Sequence, residues 1–472
     1  MSGPGSDRTP GRQGAPRTGP DVATGRPVMD GDGEFSLSRS VSRPMLTLFV
    51  IGDILGAGIY ALVGEVTGRV GGAVWLSFLV ALGLAVFTTF AYAELVTKYP
   101  RAAGAALYVN RAFGRPFLTF MVAFAVICSG LASAAALARA FGGDYFTTFV
   151  SLPTVVIGLA FITVIGLINF RGIRESTRFN LVFTLVEIAG LILVVIIGAA
   201  VLGEGGGDPG RAIEFKQGSP ALLAVFSGAG LAFFALIGFE DSVNLAEEAR
   251  NPRADFPRAL FGGVFVAGLI YVVVTVVASM VVPTQDLAGS EGPLLEVTSR
   301  GPLAVPDRLF SVIALFALAN GALINTIMAS RLLYGMAREG IVPEVFGRVH
   351  PGRRTPWVAI VFTTAMVGVL LITGGLSDLA DTTVVLLLGV FAVVNVSVLV
   401  LRREKIAADH FRAPTVMPVI GFFVSLGLLT TKDAETFARA GLLLLIGALM
   451  WFVARIDQGR RARTDERVDR GR

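Results

Sequence analysis

Residues 51–60 read Ile51-Gly52-Asp53-Ile54-Leu55-Gly56-Ala57-Gly58-Ile59-Tyr60, three glycines and a carboxylate inside an apolar run that extends over about 45–65. Residues 233–242 read Phe233-Phe234-Ala235-Leu236-Ile237-Gly238-Phe239-Glu240-Asp241-Ser242, again a glycine and acids near the middle of an apolar run. In hydrocarbon each unpaired backbone group costs several kcal/mol, so a helix is interrupted there only where protein or a cavity satisfies the freed groups. An acid at that depth is costly and faces a cavity or a partner. Gly52 and Gly56 also form a Gly-x-x-x-Gly pair, and close helix packing is the competing reading of the first cluster.

The rest of the chain is consistent with runs that cross a bilayer. Of 472 residues, 54% are hydrophobic and 16% charged, with a mean hydropathy of +0.71; a soluble domain carries nearer a quarter charged. About twelve spans follow from apolar length and polar interruptions: roughly 45–65, 73–97, 117–140, 153–169, 179–202, 219–245, 258–282, 306–333, 356–374, 379–401, 415–431 and 437–455. The two interrupted runs are the first and the sixth. The sequence therefore predicts an all-α polytopic membrane protein with a transmembrane domain over 41–457, a disordered arm over 1–40 and a disordered tail over 458–472.

Arginine and lysine concentrate in cytoplasmic loops. Here Arg39 and Arg43 precede the first span, while Arg111 and Arg115 follow the second, Arg171 and Arg178 the fourth, Arg250 and Arg253 the sixth, and Arg353 and Arg354 the eighth. The alternate loops hold Asp286, Glu291, Glu296, Asp378 and Asp381. Both termini are thus expected in the cytoplasm, and the net charge of +5 is expected to face the inner leaflet rather than nucleic acid. The one cysteine, Cys128, and the two histidines, His350 and His410, leave no disulfide, metal cluster or intramembrane haem pair to expect. The four lysines, Lys98, Lys216, Lys405 and Lys432, all lie in or beside loops, so no buried Schiff-base lysine is expected. No phosphate-binding Gly-x-x-x-x-Gly-Lys loop occurs, no cofactor is implied, and no catalytic spacing is recognised. Interrupted spans at matching positions of two halves point to a transporter with inverted repeats and a midplane site.

Several motifs in order resemble the amino acid–polyamine–organocation transporter superfamily over about the first ten spans. They are Gly52 to Ile59, Tyr92-Ala93-Glu94-Leu95 with Tyr99-Pro100-Arg101, Asn244 to Glu248 with Pro257-Arg258-Ala259, and Ala329 to Gly340. The resemblance implies a five-plus-five inverted repeat, over about 45–202 and 219–401, with two peripheral helices over about 415–455. It also implies alternating access around a site between the first and sixth spans. There the backbone N–H groups of Gly56, Ala57 and Gly58 would meet a substrate carboxylate. Unwound carbonyls at Phe234, Ala235, Leu236 and Ile237 would meet its ammonium, with Phe234 as an aromatic lid; ordinary packing is the rival role for this phenylalanine.

Four acids remain to be assigned. Asp53 either contacts a cationic substrate group, carries a proton, or bonds freed backbone locally. Glu240 and Asp241 stand at the start of the second half of the sixth span, where capping competes with a gating role that the resemblance implies for Glu240. Glu187 lies within the otherwise apolar fifth span, where some branches of the superfamily have a lysine, so that carry-over fails in sign. A buried acid there is a proton-coupling candidate, with an ion pair or a snorkelling side chain as the competing role. Asn325, Thr326 and Ser330 offer oxygen ligands to sodium, but hydroxyls in such helices often bond their own backbone. The expected activity is secondary active transport of an amino acid or related amine across the plasma membrane, with a proton as coupling ion. A polyamine or cationic amino-acid exchanger, or a receptor that does not transport, stays open, as does the oligomeric state.

Overall fold

The computed structural model describes residues 41–470 apart from 57, 102–103, 173–176, 303–304, 405 and 407–408, with the side chains of 177–181 and 457–470 also outside the description. The arm over 1–40 lies outside it. Seventeen α-helices follow in order: α1 Arg43–Leu55, α2 Gly58–Val70, α3 Val74–Lys98, α4 Gly104–Phe113, α5 Pro116–Phe141, α6 Asp144–Thr147, α7 Thr154–Arg171, α8 Thr177–Gly203 and α9 Ala221–Ala232. Then come α10 Pro252–Val281, α11 Thr284–Gly289, α12 Pro293–Ser299, α13 Asp307–Arg338, α14 Trp357–Thr373, α15 Leu376–Leu401, α16 Val416–Leu429 and α17 Ala434–Arg470.

Proline sets many of the starts, since its fixed φ suits a first helical turn and its missing N–H is not needed there. It opens α5, α10 and α12 and directly precedes α7, α9, α13 and α14. Gly172, at φ 78°, ends α7 in the left-handed region that favours glycine.

Among the described residues, nine helices are long and apolar enough to cross a membrane, or ten if α1 and α2, bent by 41° at their break, count as one span. The other two expected spans appear as the shorter apolar helices α14 and α16. Large apolar side chains such as Leu167, Val182, Phe265, Val361, Phe423 and Leu442 stand more than half exposed, which suits a lipid face and would be costly in water. The protein is a multi-pass membrane protein.

The core forms where α3 packs on α10, α5 on α13 and α15, and α1 on α10 and α8. α7 packs on α14. The only β pairing among the described residues is a bridge between Val41 and Ala249, with Val41 N–H donating to Glu248 O at 3.0 Å and Arg250 N–H to Val41 O at 3.0 Å.

The backbone over 458–470 is helical, as part of α17. Two lysines are buried: Lys98 at the end of α3 and Lys432 between α16 and α17. Loop position does not keep a lysine in water when neighbouring helices offer it carbonyl or carboxylate partners.

Candidate functional site

Both interrupted runs break where the glycines stand. α1 ends at Leu55, Gly56 turns out of helical geometry with ψ −173°, and α2 begins at Gly58. The carbonyl of Ile54, in the last turn before the break, accepts a hydrogen bond from the buried hydroxyl of Tyr271 at 2.5 Å, as a freed group inside a membrane requires. In the sixth span, α9 gives way at Phe233 to a 3₁₀ turn over Phe233–Leu236. Ile237 is extended, with ψ 147°, and Gly238 sits at φ 129°. The chain then resumes as a second 3₁₀ turn over Asp241–Leu245.

The Glu240 side chain reaches back across the bend, its Oε2 accepting the Gly238 N–H at 2.8 Å.

The two breaks touch. A Cβ at Gly58 would stand 2.7 Å from Ala235 Cα, and one at Gly238 would stand 2.6 Å from Asp53 O. Only glycine fits either position, and at Gly238 the backbone conformation demands it as well. Gly52 has a different role: a Cβ there would fall 1.9 Å from Thr184 Oγ1 of α8, the helix packing that the Gly-x-x-x-Gly pair suggested. Gly56 meets only the backbone of its own span.

A cavity that opens to solvent surrounds this crossing. Of the residues singled out from sequence, Asp53, Gly56, Gly58, Phe234, Ala235, Ile237 and Glu240 line it, together with Asp241. Ala57 lies outside the described residues. Leu236, the last residue of the 3₁₀ turn, does not line the cavity and is buried in the core. Sequence reasoning missed Ser129 and Ser133 of α5, Asn320 of α13 and Thr383 of α15, all of which line the cavity. Ser129 and Ser133 sit four residues apart on one helix face, a signal that was available. Asn325, which also lines it, donates through Nδ2 to Ser133 Oγ at 3.1 Å. Thr326 and Ser330 donate their hydroxyls to Ala322 O at 2.6 Å and Ile327 O at 3.0 Å, the local bonding that competes with a sodium site.

Glu187 is not on the cavity wall. It is buried on α8, where Asn320 Nδ2 donates to its Oε1 at 3.3 Å and the Tyr60 hydroxyl donates to its backbone carbonyl at 2.9 Å. Its Oε2 is buried without a hydrogen-bond partner. Asn320 thus connects Glu187 to the cavity.

Charge pairs tie elements together at the two ends of the bundle. At the end where α3 meets α15, Arg402 clasps Glu94 through Nε at 2.8 Å and Nη2 at 2.6 Å, and Glu94 also accepts the Ala413 N–H at 2.9 Å. Lys98 donates to Leu401 O and Glu404 O. At the other end Asp381 of α15 accepts from Arg69 of α2 at 2.6 Å and from the fully buried Lys432. Lys432 reaches that point because α9 has Gly230 there, where a Cβ would stand 3.1 Å from its Nζ.

The profile of the amino acid permease family matches residues 42–437. The chain is 28% identical over 445 residues to the branched-chain amino acid permease BcaP of Bacillus subtilis (strain 168), covering 89% of this chain and 94% of that one. It is 29% identical to cationic amino acid transporter 9, chloroplastic, of Arabidopsis thaliana, over 67% of this chain and 58% of that one. It is 27% identical to the low-affinity putrescine importer PlaP of Escherichia coli (strain K12), over 80% of this chain and 85% of that one.

Proposed function

Because the chain belongs to the amino acid permease family, we propose that it moves an amino acid across the plasma membrane by alternating access, with a proton as the coupling ion. The observation that carries this reading is the contact of two broken spans, Gly58 against Ala235 and Gly238 against Asp53, on the wall of a cavity with polar and apolar lining. Backbone freed from helix beside such a cavity is suited to the charged ends of an amino acid.

Further support comes from the packing of corresponding spans. α3 on α10, α5 on α13 and α7 on α14 are the second, third and fourth spans against the seventh, eighth and ninth, as a five-plus-five repeat would place them. The lining reaches Gly104 and Ala105 of α4 and Leu332 of α13, beside the arginine-rich loops, whereas Arg69, Asp381 and Lys432 join α2, α15 and the α16–α17 loop at the opposite end. We read this as a state open to the cytoplasm, with both termini on that side.

Glu187 is the residue assigned to the proton, since it is buried with one carboxyl oxygen unpartnered. A second reading, exchange of a cationic amino acid or polyamine, is favoured by Asp53, Glu240 and Asp241 on a cavity wall that holds no lysine, arginine or histidine among its described residues.

Reconstitution in liposomes tests both. The proposal expects uptake of an amino acid that rises with an inward proton gradient and loses that dependence in Glu187→Gln. Uptake only against internal lysine or putrescine, indifferent to the gradient, replaces it with the exchange reading; binding without movement makes the protein a receptor.

A further inference from the structure

The transport reading leaves open how an acid off the cavity wall would register that the cavity is filled. Asn320 is the residue placed to do this. It lines the cavity, and its Nδ2 is the one hydrogen-bond donor to the Glu187 carboxyl among the described residues, at 3.3 Å. The other carboxyl oxygen is buried with no partner, and no lysine, arginine or histidine pairs with Glu187 among the described residues.

The titratable groups that face Glu187 from neighbouring elements are Tyr60 of α2 and Tyr271 of α10. Both are phenols, neutral near pH 7. Their hydroxyls are already committed as donors, Tyr60 to Glu187 O at 2.9 Å and Tyr271 to Ile54 O at 2.5 Å. From α13 the facing group is Asn320 itself, which does not titrate.

We propose that Asn320 is the positioning residue that links substrate to proton: its amide N–H group serves either the Glu187 carboxylate or an acceptor group of the substrate in the cavity. With the cavity empty, the amide stabilises the ionised carboxylate. When substrate takes the amide, Glu187 loses that donor inside a low-dielectric core and takes up a proton from water. By linkage, a protonated Glu187 frees the amide and strengthens substrate binding by the same factor. This inference rests on the assignment of the proton to Glu187 and adds the element through which that acid senses the site.

The test uses the full-length protein in lipid nanodiscs, in weakly buffered solution with a pH-sensitive dye. The probe is an equimolar mixture of L-amino acids and putrescine. Wild type is expected to take up protons when the mixture is added, and Glu187→Gln to take up none. Asn320→Ala is expected to bind the mixture more weakly, read as thermal stabilisation that needs a higher concentration, and at saturation to take up no protons.

A second measurement needs no substrate. The infrared band of the protonated carboxyl, identified by its loss in Glu187→Gln, is titrated with pH. A hydrogen bond to a charged group is worth about 1.5 kcal/mol or more, so Asn320→Ala should raise the proton affinity of Glu187 by about tenfold. A general packing defect would lower the melting temperature without moving that band. Equal band titrations in wild type and Asn320→Ala, or proton uptake retained in Asn320→Ala, would overturn the role of Asn320 alone. Proton uptake retained in Glu187→Gln would overturn the Glu187 assignment beneath it.

Discussion

Buried carboxylates at the two ends of the bundle and at mid-depth are treated in opposite ways. Glu94 is held by both arms of the Arg402 guanidinium and by a backbone N–H, and Asp381 by Arg69 and Lys432 together. Glu187, as deeply buried, has one long hydrogen bond from an amide, and Glu240 has a backbone N–H two residues away. Removing one partner of a buried pair leaves an uncompensated charge, so the ends are built to stay as they are. A carboxyl group with no cation beside it can instead change its protonation state without breaking an ion pair. The difference separates charge that fixes architecture from charge that is free to be used in a cycle.

The sharpest challenge to that division is Arg402→Ala, which leaves Glu94 buried with only the Ala413 N–H. It should destabilise by about 3–5 kcal/mol, read as a large fall in melting temperature in detergent, and Glu94→Gln added to it should recover part of the loss. Lys432→Met should cost less, about 2 kcal/mol, because Arg69 still neutralises Asp381; a loss as large as that of Arg402→Ala would show that the lysine, not the arginine, is the essential counter-charge. Gly238→Ala forces a side chain into φ 129° and against the Asp53 carbonyl. We expect about 1–3 kcal/mol of strain and at least a tenfold fall in uptake at normal membrane expression.

Glu187→Gln should change stability least of the four, because it removes no ion pair, while abolishing the effect of a pH gradient on uptake. If Glu187→Gln unfolds the protein as readily as Arg402→Ala does, Glu187 belongs with the architectural acids and the comparison fails.

Much of the site was legible because its constraints are local. Glycine and an acid inside an apolar run mark a broken span whatever its neighbours, and of the residues that the family resemblance then placed around the breaks, Asp53, Gly56, Gly58, Phe234, Ala235, Ile237 and Glu240 line the cavity. Leu236 escaped because the segment around it folds as a 3₁₀ turn that ends at this residue and buries it in the core. The role of Gly52 stayed ambiguous in sequence because its partner, Thr184, lies on another span. Asn320 was missed for a similar reason: one amide in an apolar helix reads as packing until its partner, 133 residues away, is known. Lys432 reads from its own segment as a loop residue, because its partner Asp381 lies on another span. Contacts made by absence of bulk leave no periodic signal.

The bridge between Val41 and Ala249 has a mechanical meaning. Val41 is pinned by hydrogen bonds to Glu248 and Arg250, two residues before α1 and just beyond the sixth span, so the entry to the first broken span and the exit from the second are fastened to each other and a displacement of one is carried to the other.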